Sequence, residues 1–323
     1  LLANRPPPAL TAPAVRYLAD SLTLGGDCRL LTDMDAWRLP APELRVMDLS
    51  RARCDLQQGR QRRGRATLVR LLEEKQSDET ARGAADLLSR VLPHPGDDRE
   101  SLLLGVAFYH HREFEAAIEP LEKGLRALES AGTEVFDITM EEARYALARS
   151  HFWLRDYPTA ASQFARLAGA EQSQSDTARA LYQQARSYEL EGDRRAAVLI
   201  FDQAFSADPT GRWSAAALMS SLRIHWQQGN IEAALDRFQQ LGTRSGWRRG
   251  HARAALFLAA SDLVSGETRR AGAWLTQAAR ATRTETPEIA YWRGRLAELE
   301  GKATTAVEHY VSALAQDPYH PLS

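Results

Sequence analysis

One spacing recurs along the chain and restricts what it can fold into. Within LYQQARSYELEGDRRAAVLIFDQAFSADP, Leu181 to Pro209, Ala197 is followed four residues on by Phe201 and seven on by Ala204. The same unit returns as Ala117/Leu121/Gly124, Ala160/Phe164/Leu167, Ala234/Phe238/Leu241, Ala271/Leu275/Ala278 and Ala306/Tyr310/Ala313. The anchors 117, 160, 197, 234, 271 and 306 step by 43, 37, 37, 37 and 35 residues. Five positions before each stands a turn residue: Arg112, Arg155, Gly192, Gly229, Gly266 and Gly301. Small residues such as Ala185, Ala197 and Ala204 let two helix backbones approach, while Leu181, Tyr188 and Phe201 fill the space between them. A lone helical hairpin cannot bury its apolar face, so hairpins of this kind stack in line. The expected fold class is all-α, an α-α superhelix or solenoid of stacked hairpins.

Because such an array grows along one axis, 323 residues need not mean two globular domains. Residues 99–323 hold the six hairpins. Residues 1–98 are helical in pattern but do not follow the template, and are read as degenerate repeats that cap the array. Helices are expected there over Thr11 to Leu24, Pro42 to Gln58, Arg60 to Glu74 and Ser77 to Leu92. The breaker cluster Pro93-His94-Pro95-Gly96-Asp97-Asp98 marks the boundary. Pro120 lies inside a second helix, where it removes a backbone hydrogen bond and should kink it. Thr139 with Glu142 forms a capping box, and Thr286-Pro287-Glu288 starts the last hairpin with Pro at the first helical position.

The formal net charge of −1 and charged fraction of 26% describe a mixed-charge surface and argue against nucleic acid as a partner. No apolar run is long enough to span a membrane. RQRRGR, residues 60–65, is read as the one dense basic run, and as a solvated face. The Pro-rich start, LLANRPPPALTAPA, without an initial Met, suggests a trimmed or mature chain whose export signal lies outside it. Cys28 and Cys54 are the only cysteines; two buried thiols are the plainer expectation, and a bond is open to them in an oxidising compartment.

Catalytic chemistry is not apparent. His110 and His111 are adjacent, about 100° apart on a helix, and cannot ligate one metal as a pair. Glu115 lies one turn from His111, but no third ligand is spaced to join them. Neither a Ser/His/Asp set nor a phosphate-binding Gly-rich loop is recognisable. No catalytic residue, metal or cofactor is expected.

One recurrence goes beyond packing. Arg149, Arg186 and Arg223 stand 37 residues apart on the first helices, with Arg295 equivalent in the last hairpin. One turn earlier stand Tyr145, Tyr182, Met219 and Tyr291. Trp153 and Trp226 lie close to the same face. As a binding stripe on the concave side, the arginines would take carboxylates bidentately and the rings would stack on apolar or sugar faces. As packing, each Arg would pair with an acidic residue such as Glu142, Glu189 or Glu298, and the Tyr would stiffen the stack.

Two family resemblances follow. The hairpins over residues 98–318 resemble tetratricopeptide repeats, most closely Gly192/Ala197/Phe201/Ala204/Pro209 and Gly294/Gly301/Ala306/Tyr310/Ala313/Pro318. That unit is about 34 residues long, so the longer step here implies longer helices or turns. Pro287-Glu288-Ile289-Ala290-Tyr291-Trp292-Arg293-Gly294-Arg295, with Gly301, Ala306, Tyr310 and the ending DPYHPLS, looks like the end of the non-catalytic superhelical domain of soluble lytic transglycosylases. In that family a lysozyme-like domain follows, using a catalytic Glu before Ser and a later Gly-Leu-Met-Gln motif. The only Glu-Ser pairs here, Glu100-Ser101 and Glu129-Ser130, lack such a motif downstream. The second resemblance implies a periplasmic, peptidoglycan-binding arm of a lytic transglycosylase. The alternative is a tetratricopeptide adaptor, cytoplasmic or periplasmic, holding a peptide or protein on its concave face. The binding residues expected in either case are Tyr145, Arg149, Tyr182, Arg186, Arg223, Trp226, Tyr291 and Arg295.

Overall fold

A computed structural model describes residues 11–24, 28, 31, 39–91, 98–131, 140–170 and 173–317, and every regular element among them is helical. They fall into two compact units, Leu1–Gln163 and Phe164–Ser323. The first holds α1 (Thr11–Leu24), α2 (Ala41–Gln57), α3 (Gln61–Glu74), α4 (Glu79–Val91), α5 (Asp98–His110), α6 (Phe114–Ala131), α7 (Met140–Trp153) and the start of α8 (Tyr157–Ala168). The second holds α9 (Gln174–Glu191), α10 (Arg194–Ala207), α11 (Arg212–Gln227), α12 (Ile231–Gly242), α13 (Arg248–Val264), α14 (Thr268–Thr282), α15 (Pro287–Leu299) and α16 (Ala303–Gln316).

The turn residues explain why helices alternate at this spacing. Gly192, Gly229, Gly266 and Gly301 have φ between 75° and 105°, and Arg112 and Arg155 adopt the same left-handed region at 63° and 65°. Such a residue ends a helix by turning its amide back onto the last carbonyls. At Gly266, its own N–H donates to the Leu263 carbonyl at 3.1 Å and the next N–H, of Glu267, to that of Asp262 at 2.8 Å. The next helix starts at once; after Gly192, Asp193 caps it by accepting from the Ala196 N–H at 2.9 Å. At Arg112 and Arg155 the same conformation costs about 1–2 kcal/mol, because a Cβ crowds the following carbonyl.

Gly59 makes the same turn at φ 77°, between α2 and α3. Gly64, Leu68 and Leu71 follow it at the anchor spacing, and all three are buried. A hairpin of the repeat type therefore lies within residues 1–98, in addition to the six. Its anchor is Gly because a Cβ there would stand 2.8 Å from the Leu56 side chain and 3.0 Å from the Ala52 carbonyl.

The anchors are core in both units. Ala117 and Leu121 are buried with Leu68, Leu88 and Val106 in the first. Ala185, Ala197, Phe201 and Ala204 pack with Ala217 and Ile224 in the second. α6 remains one helix with Pro120 inside it. Thr286 caps α15 by accepting from the Ile289 N–H at 3.4 Å. The 93–97 part of the breaker cluster and Thr139 lie outside the described residues.

Two expectations are corrected. Cys28 and Cys54 form a disulfide rather than two thiols: their Cα atoms are 5.8 Å apart, although 26 residues separate them in sequence. The basic run is only partly solvent face. Arg60 and Arg63 pair with the buried Asp55 of α2 at 2.6 and 3.3 Å, and Arg65 Nε donates to both Glu100 carboxylate oxygens at 2.8 and 2.9 Å.

Candidate functional site

In the Phe164–Ser323 unit, the first helices of successive hairpins touch: α9 meets α11, α11 meets α13 and α13 meets α15. Each second helix packs between its own first helix and the next one, as α10 does against α9 and α11. The first helices therefore form a row, and the stripe residues of this unit lie on it.

Glu189, near the end of α9, holds two of the arginines. Its carboxylate accepts from Arg223 of α11 and lies 3.6 Å from Arg186 Nε. Tyr182 packs on Phe201 of its own hairpin at 5.7 Å and on Trp213 of the next at 5.4 Å between ring centroids. Arg295 pairs within α15, its Nη1 2.6 Å from Glu298, and the Tyr310 hydroxyl donates to the same carboxylate at 2.9 Å. Glu298, then Tyr310, raise the Arg295 pKa. Burial and then the Glu298 hydrogen bond raise that of Tyr310. Tyr291 lies 5.9 Å from the Tyr310 ring.

Trp226 is fixed from the next hairpin. The Arg270 guanidinium lies 5.7 Å from its ring centroid and is itself held by Asp262 at 2.9 Å. Asp262 is 3% exposed and also accepts from Trp274 Nε1 at 2.9 Å, so it neutralises the arginine that covers Trp226. Asp262 does not stand out in sequence; the sign that marks it is its place four residues before a turn, the place Asp55 occupies before Gly59.

In the Leu1–Gln163 unit, Arg149 lies 5.0 Å from the Trp153 ring and 5.1 Å from that of Phe152. Phe114 stacks on Trp153 at 5.9 Å, and Arg112 stands 5.6 Å from it. Trp153 is still 46% exposed. Tyr145 is half-buried on α7, one turn before Arg149.

The stripe lapses in the hairpin built on Ala271, where Leu256 and Ala260 occupy the Tyr and Arg places. Basic residues appear instead one and two turns earlier. Arg248, Arg249, Arg253 and Leu256 of α13 line a cleft of about 800 Å3, faced by Thr282, Thr284, Thr286 and Glu288. A smaller cavity of about 220 Å3 shares Arg248 and adds Arg244, His251 and Arg280. No acidic residue stands between Asp236 and Asp262, and RSGWRRGHAR at 244–253 is the run that would have marked the cluster. The expectation of a single dense basic run, at 60–65, is corrected by it. Among the described residues no group of three or more His, Cys, Asp or Glu could hold a metal, and no helix is long and apolar enough to cross a membrane.

A tetratricopeptide repeat family model matches residues 178–210, the hairpin centred on Gly192. With the left-handed turns and the row of first helices, this makes the chain a tetratricopeptide-like helical-repeat protein, all-α in fold. No curated protein matches it. Similar solved structures include PilW, a widely conserved type IV pilus biogenesis factor, at 17% identity over 71% of this chain and 97% of that one, TM-score 0.45. The apo quorum sensor NprR from B. thuringiensis is 12% identical over 94% and 86%, TM-score 0.45. A Rap protein complexed with competence and sporulation factor is 12% identical over 96% and 98%, TM-score 0.41. Likenesses at these scores add nothing to the class.

Proposed function

We propose that the chain is a non-catalytic scaffold that holds a peptide or protein segment against its row of first helices. What supports this is the row itself: successive first helices touch, and they carry half-buried rings and guanidiniums, among them Tyr182, Arg186, Arg223, Trp226, Tyr291 and Arg295. In the other unit Tyr145 and Arg149 hold the same places. On this reading the ion pairs at Glu189 and Glu298 fix the face, and the exposed parts of the side chains meet the partner. A rigid, pre-ordered surface loses little entropy on binding an extended segment.

The peptidoglycan reading, with the row as an arm of a lytic transglycosylase, has no observation of its own in its favour. A peptide-display selection against the full chain, run beside sedimentation with purified peptidoglycan, separates the two. Enriched peptides that bind in solution are expected. No enrichment, together with pelleting on peptidoglycan, would overturn the scaffold reading.

The disulfide favours an oxidising compartment such as the periplasm, because cytosolic thiols are kept reduced. Alkylation of the protein taken directly from its cells should find no free thiol; two would exclude that placement.

A further inference from the structure

We propose that the cleft lined by Arg248, Arg249 and Arg253 is a binding site for an acidic peptide segment, its carboxylates taken by the guanidiniums of α13. The inference deepens the scaffold reading and rests on it, by naming the chemistry of the partner. None of the three arginines makes an ion pair to a described residue, and all three are exposed. Several other arginines of the unit have a carboxylate of their own: Arg223 has Glu189, Arg237 has Asp202, Arg270 has Asp262 and Arg293 has Glu285. The one acidic residue on the cleft wall is Glu288. Like charges gathered around a concave surface repel one another, and an anion relieves that repulsion.

The shape and the remaining lining select the anion. A cleft of about 800 Å3 has room for several side chains. Ala252 and Leu256 give it an apolar floor, and Thr284 and Thr286 bring hydroxyls that donate to carboxylate or backbone oxygens, whereas the Thr282 hydroxyl already donates to the Thr284 carbonyl at 2.6 Å. Guanidiniums bind carboxylates as two-pronged partners. A nucleic acid strand would also need rings on which bases stack. None of the residues lining the cleft is aromatic, and Trp247, next to Arg248, is only 6% exposed and already carries Arg244 at 5.3 Å.

The test uses the full chain and a fluorescein-labelled hexaglutamate peptide, read by anisotropy, with hexaglutamine and a hexathymidylate strand as comparison probes. Hexaglutamate should bind, weaken as salt rises, and lose at least about tenfold in affinity in the Arg249→Ala/Arg253→Ala double variant. The Tm of that variant should be unchanged, because neither side chain holds an ion pair. An Arg194→Ala/Arg195→Ala variant removes the same charge from the start of α10 and should bind as the parent does. Equal binding of hexaglutamate by the parent and the α13 variant, or none by either, would overturn the proposal. So would tighter binding of hexathymidylate at the same residues, or full displacement of hexaglutamate by millimolar phosphate. If the display selection enriches peptides without acidic residues, the scaffold reading stands and this inference fails.

Discussion

Arg186 and Arg223 share one carboxylate, that of Glu189, whereas Arg248, Arg249 and Arg253 stand around a cleft without a paired carboxylate of their own. Both groups lie on first helices of the same unit. The sequence marks the first by its regular 37-residue recurrence, and the second stands where that recurrence lapses. An arginine repeated in register can find an acid on the neighbouring repeat, because stacking brings equivalent positions together; Arg223 and Glu189 meet in this way. At Leu256 and Ala260 the register carries no charge, and the arginines that replace it face outward. Regular repetition here marks contacts that hold repeats together, and on the reading proposed above the departure from it adds charged surface for a partner.

The largest effect should come from making the second group resemble the first. Ser245 is an exposed residue on the cleft wall. Ser245→Glu sets a carboxylate beside the arginines, and hexaglutamate affinity should fall about tenfold, the equivalent of ~1.4 kcal/mol. Anisotropy titration reads this directly. Unchanged affinity would mean that the probe binds elsewhere and that the contrast carries no function.

The reverse change removes the acid from the first group. Glu189→Gln keeps the shape and deletes the charge that Arg186 and Arg223 share. Their side chains are 36% and 39% exposed, so solvent screens the pairs and the loss should be about 1 kcal/mol, a fall in Tm of a few degrees. Hexaglutamate binding at the cleft should stay within about twofold of the parent, a difference well under 1.4 kcal/mol. A melt that does not move would show that Glu189 does not hold the row together.

The fold was legible because its determinants are local. A small anchor, a large residue four on and a turn residue five before fix one hairpin, and the six turn positions read in this way all adopt a left-handed conformation. The hairpin at Gly59 escaped because Gly64 replaces the usual Ala, and only the close approach of Leu56 and Ala52 shows why Gly is needed. The candidate site was legible only as a list of positions. Periodicity placed Arg186, Arg223 and Arg295 on one face, but the choice of acid depends on side-chain reach: Arg223 turns to the neighbouring helix and Arg295 to its own. Of the α13 arginines only Arg249 has a counterpart at the 37-residue step, Arg212, so a search for recurrence passes over the cluster. The Cys28–Cys54 bond depends on how α2 packs with residues far from it in sequence, which spacing does not encode.

The smallest effect tests the edge of the unpaired group. His251 shares the smaller cavity with Arg244, Arg248 and Arg280, and its ring lies 4.4 Å from that of Phe238. Burial lowers its pKa below the usual 6.5, so at neutral pH it adds no charge to the arginines around it. The folded state resists a proton that the unfolded chain accepts. Its contribution to stability is therefore complete above about pH 6.5 and is lost as pH falls through the lowered folded value. His251→Gln removes that titration and leaves the other lowered histidines, His110 and His225, in place. Between pH 7 and pH 5 the Tm of the parent should fall about 1–2 °C further than that of the variant. Parallel falls would mean that the ring accepts its proton without loss. In that case the arginine cluster would gain a further positive charge in acid, and between pH 7 and pH 5, where the probe itself begins to protonate, hexaglutamate should lose less affinity for the parent than for the variant.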